Sequence, residues 1–235
     1  MSSSIYQLSL TLRAGHVDFR RHLRPSELMR LFQECCIAHT EELGMGRAMT
    51  LDRGFLWVVD SLHFSVTRWP EYDEDITLRC YPGRTLHYLF PRYLEVVDSH
   101  GEVCVRATSL WSLIDEKTRS LIDPKEKGIV IEGNEHGDEI APAMGMPVQS
   151  IPDVRTLVAH YSNVDINGHM NNAAYMDFIM DSFSEDDLEN KTIKDIVLCF
   201  KKEIRLGQTV EVTIGKIKDS YFAFSPYFSA KVALI

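Results

Sequence analysis

The chain has 235 residues, of which 45% are hydrophobic and 10% aromatic, so it can bury either one large core or two small ones. Its formal net charge of −9 excludes a dominant basic field, so we expect neither nucleic acid nor a membrane surface as its main partner. The five cysteines are an odd number and form no CxxC pair, so they suggest neither a disulfide framework nor a zinc knuckle, and the chain starts without a basic, apolar leader, which favours the cytoplasm.

The first half of the chain is predicted to fold as a strand, a long helix and a sheet. Leucines alternate with polar residues from Leu8 to Leu12, as in a half-buried strand. The helix is predicted from Ser26 to Leu43, with Pro25 in its first turn and Gly44 as its stop. The strands predicted to follow are Phe55 to Trp69, Ile76 to Tyr81, His87 to Val97, Val103 to Ile114 and Ser120 to Ile122. This order predicts a helix wrapped by a twisted antiparallel sheet.

The second half is predicted to repeat this order after a linker. Residues 124–152 are rich in proline and glycine, which indicates a connection between domains 1–123 and 153–235. The predicted elements of the second domain are a strand around Arg155 to Tyr161, a helix from Asn172 to Phe183, and strands Ile193 to Ile204, Thr209 to Lys218 and Tyr221 to Leu234. The helix is apolar nearly all round, so we expect it to be buried inside its sheet. The predicted fold class is therefore α+β.

A cluster of polar residues directly precedes the second helix. Asp165, Asn167 and His169 place an acid, an amide and an imidazole at alternate positions, with Gly168 between the last two. An Asn-Gly pair is first of all a turn signal, so the motif alone does not establish chemistry.

A weaker copy of this motif precedes the first helix. Asp18 and His22 keep the spacing of Asp165 and His169, but Arg20 stands where the amide would be. Two copies indicate two similar folding units, and only the second retains the amide.

Three segments resemble, in order, segments of the acyl-ACP thioesterase family. They are Arg106-Ala107-Thr108-Ser109-Leu110-Trp111, the loop from Asp165 to Asn172, and the strand Lys201-Lys202-Glu203. The resemblance covers essentially the whole chain and implies a tandem double hotdog fold. It also implies hydrolysis of fatty acyl-ACP to free fatty acid and holo-ACP, which ends chain elongation, without a cofactor or a metal.

The chain departs from the plastid members of that family in two respects. Plastid members commonly carry a cysteine directly after the glutamate, where this chain has Ile204, so a cysteine nucleophile is excluded at that position. They also carry a transit peptide, which is missing, and this favours a bacterial-type cytoplasmic enzyme.

The resemblance implies that Asp165, Asn167, His169 and Glu203 form the active site. Thioester hydrolysis needs a positioned water and donors aimed at the developing oxyanion, because the leaving thiol, with a pKa of about 8.5, departs with modest help. The Asn167 amide and the free N–H groups of the following helix suit the oxyanion. Glu203 is expected to activate water, with direct attack as the less favoured alternative. We expect Asp165 to orient the loop or share that proton, His169 to carry a proton to the thiolate, and Gly168 to leave room for the thioester.

The first domain is expected to bind the acyl chain, because its matching strand, Ser61 to Pro70, contains no carboxylate. The residues predicted to line its tunnel are Met29, Phe32, Cys36, Trp57 and Val59.

Docking of an acidic carrier protein on this acidic chain requires a local basic field. The candidates are Lys201, Lys202, Arg205, Arg20, Arg21 and Arg24. Simple solvated charges explain each of them equally well. An acyl-CoA thioesterase, which uses the same chemistry with another docking surface, stays open, and so does a hydratase/dehydratase of the same fold. Acyl chain length and a homodimer are also left open.

Overall fold

The structure, a computed structural model, describes residues 5–133 and 140–235. The N-terminal half contains β1 (Tyr6–Thr11), α1 (Pro25–Glu42), β2 (Phe55–Val66), β3 (Asp75–Pro82), β4 (Leu89–Asp98) and β5 (Val103–Asp115). The C-terminal half contains β6 (Val154–Val158), α2 (Asn172–Met180), α3 (Glu185–Asn190), β7 (Ile193–Phe200), β8 (Thr209–Ile217), β9 (Ser220–Phe224) and β10 (Phe228–Leu234). The first four residues and positions 134–139 of the predicted linker lie outside the described residues.

Within the described residues, the strands form one ten-stranded antiparallel sheet that repeats about its centre. Its order is β1-β3-β4-β5-β2-β7-β10-β9-β8-β6. From either edge inward, each half contributes its first, third, fourth, fifth and second strand, in that order. The two halves join where β2 and β7 run antiparallel, with Ser61 opposite Cys199 and Ser65 opposite Asp195. The predicted α+β class is confirmed, and the repeated motif does mark a repeated arrangement of strands.

The first long helix matches its prediction to within one residue at each end. Pro25 opens α1, whose buried side chains recur every three or four residues, and Gly44 follows its end with a φ of 71°. This helix packs against α2, and the side chains of both belong to one hydrophobic core shared by the two halves.

The second helix is shorter than predicted. It ends at Met180 rather than Phe183, and the short helix α3 begins after Ser184, whose hydroxyl accepts the backbone N–H of Asp187 at 3.2 Å. Phe183 lies beyond the end of α2. Its ring stacks on that of Tyr221, with the ring centroids 3.9 Å apart, and this packing explains the apolar residue at position 183.

The predictions that β2 reaches Trp69 and that β7 reaches Ile204 were wrong. The strands end at Val66 and Phe200, so Lys201, Lys202 and Glu203 lie beyond the sheet. The backbone N–H groups of both lysines point to the Tyr227 carbonyl, which takes the chain out of the regular ladder. Glu203 is therefore held by a loop, and strand alternation does not determine where its side chain points.

The described part of the predicted linker lies against the sheet. Ile129 and Ile131 are buried in a second hydrophobic cluster with Phe90 and Leu113, and each such side chain contributes about 1.5–3 kcal/mol. Farther along, the Ala141 carbonyl lies 2.6 Å from Nδ1 of His63 on β2. Both parts of the segment thus contact the N-terminal half.

Candidate active site

The loop before α2 is folded by its own acid. The Asp165 carboxylate accepts the backbone N–H of Asn167 at 2.8 Å, and the Asp165 carbonyl accepts that of Gly168 at 3.0 Å. Gly168 has a φ of 73°, and a Cβ built there meets no atom within 4 Å. Glycine is therefore favoured by the left-handed backbone rather than by crowding from the surrounding protein.

This loop ends at the N-terminus of α2. The Asn171 side chain caps the helix by accepting the N–H of Ala173 at 2.9 Å, so its amide serves the helix. Asn167 sits at the exposed tip of the loop, beside Ile166, which is 99% exposed. Its amide is thus free to face a ligand.

Glu203 is brought to this loop by backbone hydrogen bonds. The N–H of Met170 donates to the Ile204 carbonyl at 2.7 Å, and His169 and Arg205 form a β-bridge. As a result, Nε2 of His169 lies 3.3 Å from Oε2 of Glu203. The His169 side chain is only 15% exposed and that of Glu203 is 32% exposed, so the pair is partly shielded from water.

A residue of the N-terminal half completes this arrangement. Nη1 of Arg119, in the turn after β5, lies 3.2 Å from Oε1 of Glu203. Sequence reasoning missed Arg119 because it sits in an ordinary-looking turn, and its proximity depends on the strand order β5-β2-β7. No local signal in the sequence contains that order.

Burial also affects the titration of Tyr175 on α2 and of Cys199 on β7. Burial first, and then the charges of Glu203 and Asp165, raise the pKa of Tyr175 on α2, so its phenol stays protonated. Burial raises the pKa of the Cys199 thiol, which disfavours the thiolate that a nucleophile would need.

An apolar pocket runs from α2 into the N-terminal half. It is lined by Met29, Phe32, Gln33, Cys36, Val59, Leu62, Leu94, Ser109, Trp111 and Asn172. A second pocket is lined by Cys36, Ile37, Thr40, Trp57, Phe90, Arg92 and Trp111. The two share Cys36 and Trp111, so they adjoin. The residues predicted to line a tunnel are all found here, Met29, Phe32 and Val59 in the first pocket, Trp57 in the second, and Cys36 in both.

The loop before α1 has the same backbone as the loop before α2. The Asp18 carboxylate accepts the N–H of Arg20 at 2.9 Å, as Asp165 does for Asn167, and Arg21 has the positive φ of Gly168, at 66°. The Arg20 guanidinium, however, donates to the Lys191 carbonyl at 2.7 Å. The side chain that replaces the amide is therefore used to hold the two halves together.

The position that corresponds to Glu203 also holds a different residue in the first half. The N–H of Leu23 donates to the Pro70 carbonyl, as Met170 does to Ile204, so Trp69 corresponds to Glu203. Trp69 is buried, and its Nε1 donates to the Ile193 carbonyl at 3.0 Å. The first loop thus faces an indole at this position. The carboxylate nearest its histidine, Glu71 at 4.0 Å from Nε2 of His22, corresponds to Arg205 and not to Glu203.

The six predicted docking residues fall into two groups. Lys201, Lys202 and Arg205 are exposed and flank Glu203. Arg20, Arg21 and Arg24 belong to the first loop, which bonds to the far end of β2. Because β2 and β7 are antiparallel, the two groups lie at opposite ends of their shared ladder. The structure does not bring them together.

The described residues offer one group of possible metal ligands, Glu74, Asp98 and Cys104. The Arg68 guanidinium lies among them, 2.6 Å from Glu74 and 3.1 Å from Asp98, and pairs with both carboxylates. This cluster is therefore explained as an ion-pair network away from His169 and Glu203. Among the described helices, none is both long and apolar enough to cross a bilayer.

Comparisons with known proteins identify the family. The family model for the acyl-ACP thioesterase N-terminal domain matches residues 3–127, and the model for the C-terminal domain matches residues 151–226. The chain belongs to the acyl-ACP thioesterase family. Relatives in this family include the chloroplastic acyl-[acyl-carrier-protein] hydrolase FATB3 of Cuphea viscosissima, 24% identical over 220 residues, covering 88% of this chain and 53% of the relative. The dodecanoyl-[acyl-carrier-protein] hydrolase of Cinnamomum camphora is 24% identical over 230 residues, covering 88% of this chain and 58% of the relative.

The chain thus spans about half the length of the curated plant relatives that it matches. Solved acyl-ACP thioesterases share its fold. One from Bacteroides thetaiotaomicron superposes with a TM-score of 0.88 at 22% identity, covering 99% of this chain and 98% of that chain. The 12:0-ACP thioesterase from Umbellularia californica superposes with a TM-score of 0.84 at 20% identity, covering 100% and 98%.

Proposed function

We propose that this chain hydrolyses fatty acyl-ACP to free fatty acid and holo-ACP and thereby ends chain elongation. The observation that carries the proposal is the His169–Glu203 pair, 3.3 Å apart, beside the helix whose first residue lines the apolar pocket. Membership of the acyl-ACP thioesterase family supports the same reaction.

The reaction needs water, an oxyanion site and a proton for the departing sulfur. In this proposal, Glu203 removes a proton from a water molecule as the water oxygen adds to the carbonyl carbon of the thioester. The Asn167 amide and the backbone N–H of Asn172, the first residue of α2, stabilise the oxyanion, since the N–H groups of Ala173 and Ala174 already donate to Asn171. The proton that Glu203 takes from water passes to His169, 3.3 Å away, and His169 delivers it to the sulfur as the C–S bond breaks, which restores both side chains. The Asp165 carboxylate acts by holding the loop, since it already accepts the N–H of Asn167.

We further propose that each half is one unit of a double hotdog, with acyl-chain binding in residues 1–123 and catalysis in residues 153–235. The repeated strand order and the central packing of α1 and α2 support this division. The acyl chain would extend from the thioester at Asn172 past Met29 and Phe32 to Cys36 and Trp57.

The test compares the protein with Glu203→Gln on a panel of acyl-ACPs and on acyl-CoAs of the same chain lengths. The wild type should hydrolyse acyl-ACP faster than acyl-CoA. Loss of the general base should lower kcat by about 10²–10⁴. Glu211→Gln, an exposed residue on β8, is the matched control and should leave the rate unchanged. A preference for acyl-CoA would indicate an acyl-CoA thioesterase instead. Full activity of Glu203→Gln would show that Glu203 is not the general base.

A further inference from the structure

We propose that Arg119, supplied by the N-terminal half, is a positioning residue that orients Glu203 for the attack of water. This inference rests on the proposed hydrolysis at Glu203. It assigns the first half a part in the chemistry in addition to binding the acyl chain.

The sheet topology brings the two residues together. β5 and β7 both pair antiparallel with β2, one on each side of it. They therefore run parallel to each other, and their C-terminal ends lie toward the start of β2. Asp115, the last residue of β5, lies opposite Phe55, the first residue of β2. Arg119 follows the end of β5 and Glu203 follows the end of β7, and both side chains therefore emerge near the start of β2.

The turn that carries Arg119 is held by Asp115. Oδ1 of Asp115 accepts the N–H groups of Lys117 and Thr118 at 3.0 and 2.8 Å and the Thr118 hydroxyl at 3.0 Å. The Arg119 N–H donates to the Asp115 carbonyl at 2.9 Å. These bonds fix the backbone from which the guanidinium reaches toward Glu203.

Arg119 adopts a backbone conformation that favours glycine. Its φ is 58°, which an L-residue with a long side chain adopts only at a cost in free energy. A glycine at this position would remove that strain. Arg119→Gly therefore separates any contribution of the guanidinium from the fold of the turn.

The geometry at the carboxylate shows what that contribution is. Arg119 approaches Oε1 at 3.2 Å, while His169 approaches Oε2 at 3.3 Å, so each oxygen has its own partner. A guanidinium on one oxygen restricts rotation of the carboxylate and directs the other toward His169. Because Glu203 follows the strand in a loop, its direction is not otherwise fixed by the sheet.

A simple surface ion pair is the competing explanation, since the Arg119 side chain is 35% exposed. The two explanations differ for Arg119→Gly. Relief of the positive φ should keep or raise the melting temperature, whereas loss of the guanidinium should lower kcat. A displacement of the reacting groups by about 1 Å costs on the order of 100-fold in rate, so we expect a fall of roughly 10–100-fold.

The experiment measures kcat, KM and melting temperature for the wild type, Arg119→Gly and Arg119→Lys on a saturated acyl-ACP. We expect Arg119→Gly to lose kcat with KM and stability preserved, Arg119→Lys to retain part of the rate, and millimolar guanidinium ion to restore part of the activity of Arg119→Gly. Arg13→Gln is the control, because Arg13 forms an exposed pair with Asp73, 2.6 Å away, in the same half. It should behave as the wild type.

Three outcomes would overturn the inference. Unchanged kcat in Arg119→Gly, with Glu203→Gln inactive, would leave the proposed hydrolysis standing and reduce Arg119 to a surface charge. A higher KM at constant kcat would make Arg119 a docking residue. A wild type that hydrolyses no acyl-ACP would overturn the hydrolysis and the role of Arg119 together.

Discussion

The same loop occurs twice in this chain, and under the proposed function single residues decide which copy acts on a thioester. Asp18 and Asp165 fold their loops by the same backbone bonds. Arg20 then turns its guanidinium to the Lys191 carbonyl, whereas the Asn167 amide has no hydrogen-bond partner among the described residues. An acid at this position therefore forms the turn, and the side chain two residues later determines whether a donor is available.

This difference predicts opposite effects of two matched alanine substitutions. Asn167→Ala should lower kcat by about 10²–10³, the usual loss for an oxyanion donor, and leave the melting temperature unchanged. Arg20→Ala should keep hydrolysis but reduce stability, because a hydrogen bond from a charged group contributes about 1.5–3 kcal/mol. Steady-state kinetics and thermal melts on both variants test this. If Asn167→Ala stayed active and Arg20→Ala were inactive, the chemistry would belong to the first loop and the proposed site would be wrong.

Among elements, α1 forms much of the wall of the adjoining pockets, and Cys36 lies where they meet. Cys36→Phe should narrow this passage and shift the acyl-ACP preference toward shorter chains. Overpacking costs typically about 1–3 kcal/mol, so stability should also fall. Cys35→Phe is the control, since Cys35 is buried next to it but lines neither pocket. It should lose stability without a change in chain length, as product analysis on a panel of acyl-ACPs would show. An unchanged profile for Cys36→Phe would mean that the chain takes another route.

The elements also separate what the sequence predicts from what it leaves open. Periodicity located α1 and most strands because burial on one face has a fixed spacing. The strand that it predicted for β7 was too long, because Lys201 and Lys202 leave the ladder through hydrogen bonds to Tyr227, which is remote in sequence. The motif before α2 was readable because its turn is local. Arg119 was not, because only the pairing of β2 with both β5 and β7 brings it to Glu203.

A histidine joins the central strands to the segment between the halves. Nε2 of His63 on β2 lies 2.9 Å from the Asp195 carboxylate on β7, and its Nδ1 lies 2.6 Å from the Ala141 carbonyl. Both partners are acceptors, so the doubly protonated ring satisfies both. The hydrogen bond with Asp195 is the main cause that raises the pKa of His63.

A raised pKa in the folded state means that protonated His63 stabilises the fold. The contribution should be complete below the unfolded pKa of about 6.5 and should be lost as the pH rises through the higher folded value. We expect the wild type to lose roughly 1 kcal/mol relative to His63→Gln between these limits. Urea unfolding of both proteins from pH 6 to pH 9 measures the difference. A constant gap across this range would show that folding leaves the pKa of His63 unchanged.

At the scale of the whole molecule, the sheet is symmetric but its two ends are not. The first loop and its arginines bond near the end of β2, and the second loop bonds near the end of β7, at the opposite end of the same ladder. At the second end the Glu203 carboxylate lies 3.3 Å from the His169 imidazole, whereas at the first end the His22 imidazole lies 4.0 Å from the Glu71 carboxylate, beyond hydrogen-bond distance. Under the proposed function, we expect a carrier that delivers a thioester to approach the end that bears Lys201, Lys202 and Arg205.

Charge reversal at each end distinguishes these approaches. Lys202→Glu should raise KM for acyl-ACP with little change in kcat, because an acidic carrier would meet a negative charge beside Glu203. A small acyl thioester without a carrier should be hydrolysed as before. Arg21→Glu makes the same change of charge on an exposed residue at the other end, so it should leave both KM values unchanged. The KM effect of Lys202→Glu should also weaken as salt is added, since exposed charges are screened within about 10 Å at 0.1 M. Equal loss on both substrates would contradict docking at Lys202, and a raised KM in Arg21→Glu alone would place the carrier at the first loop.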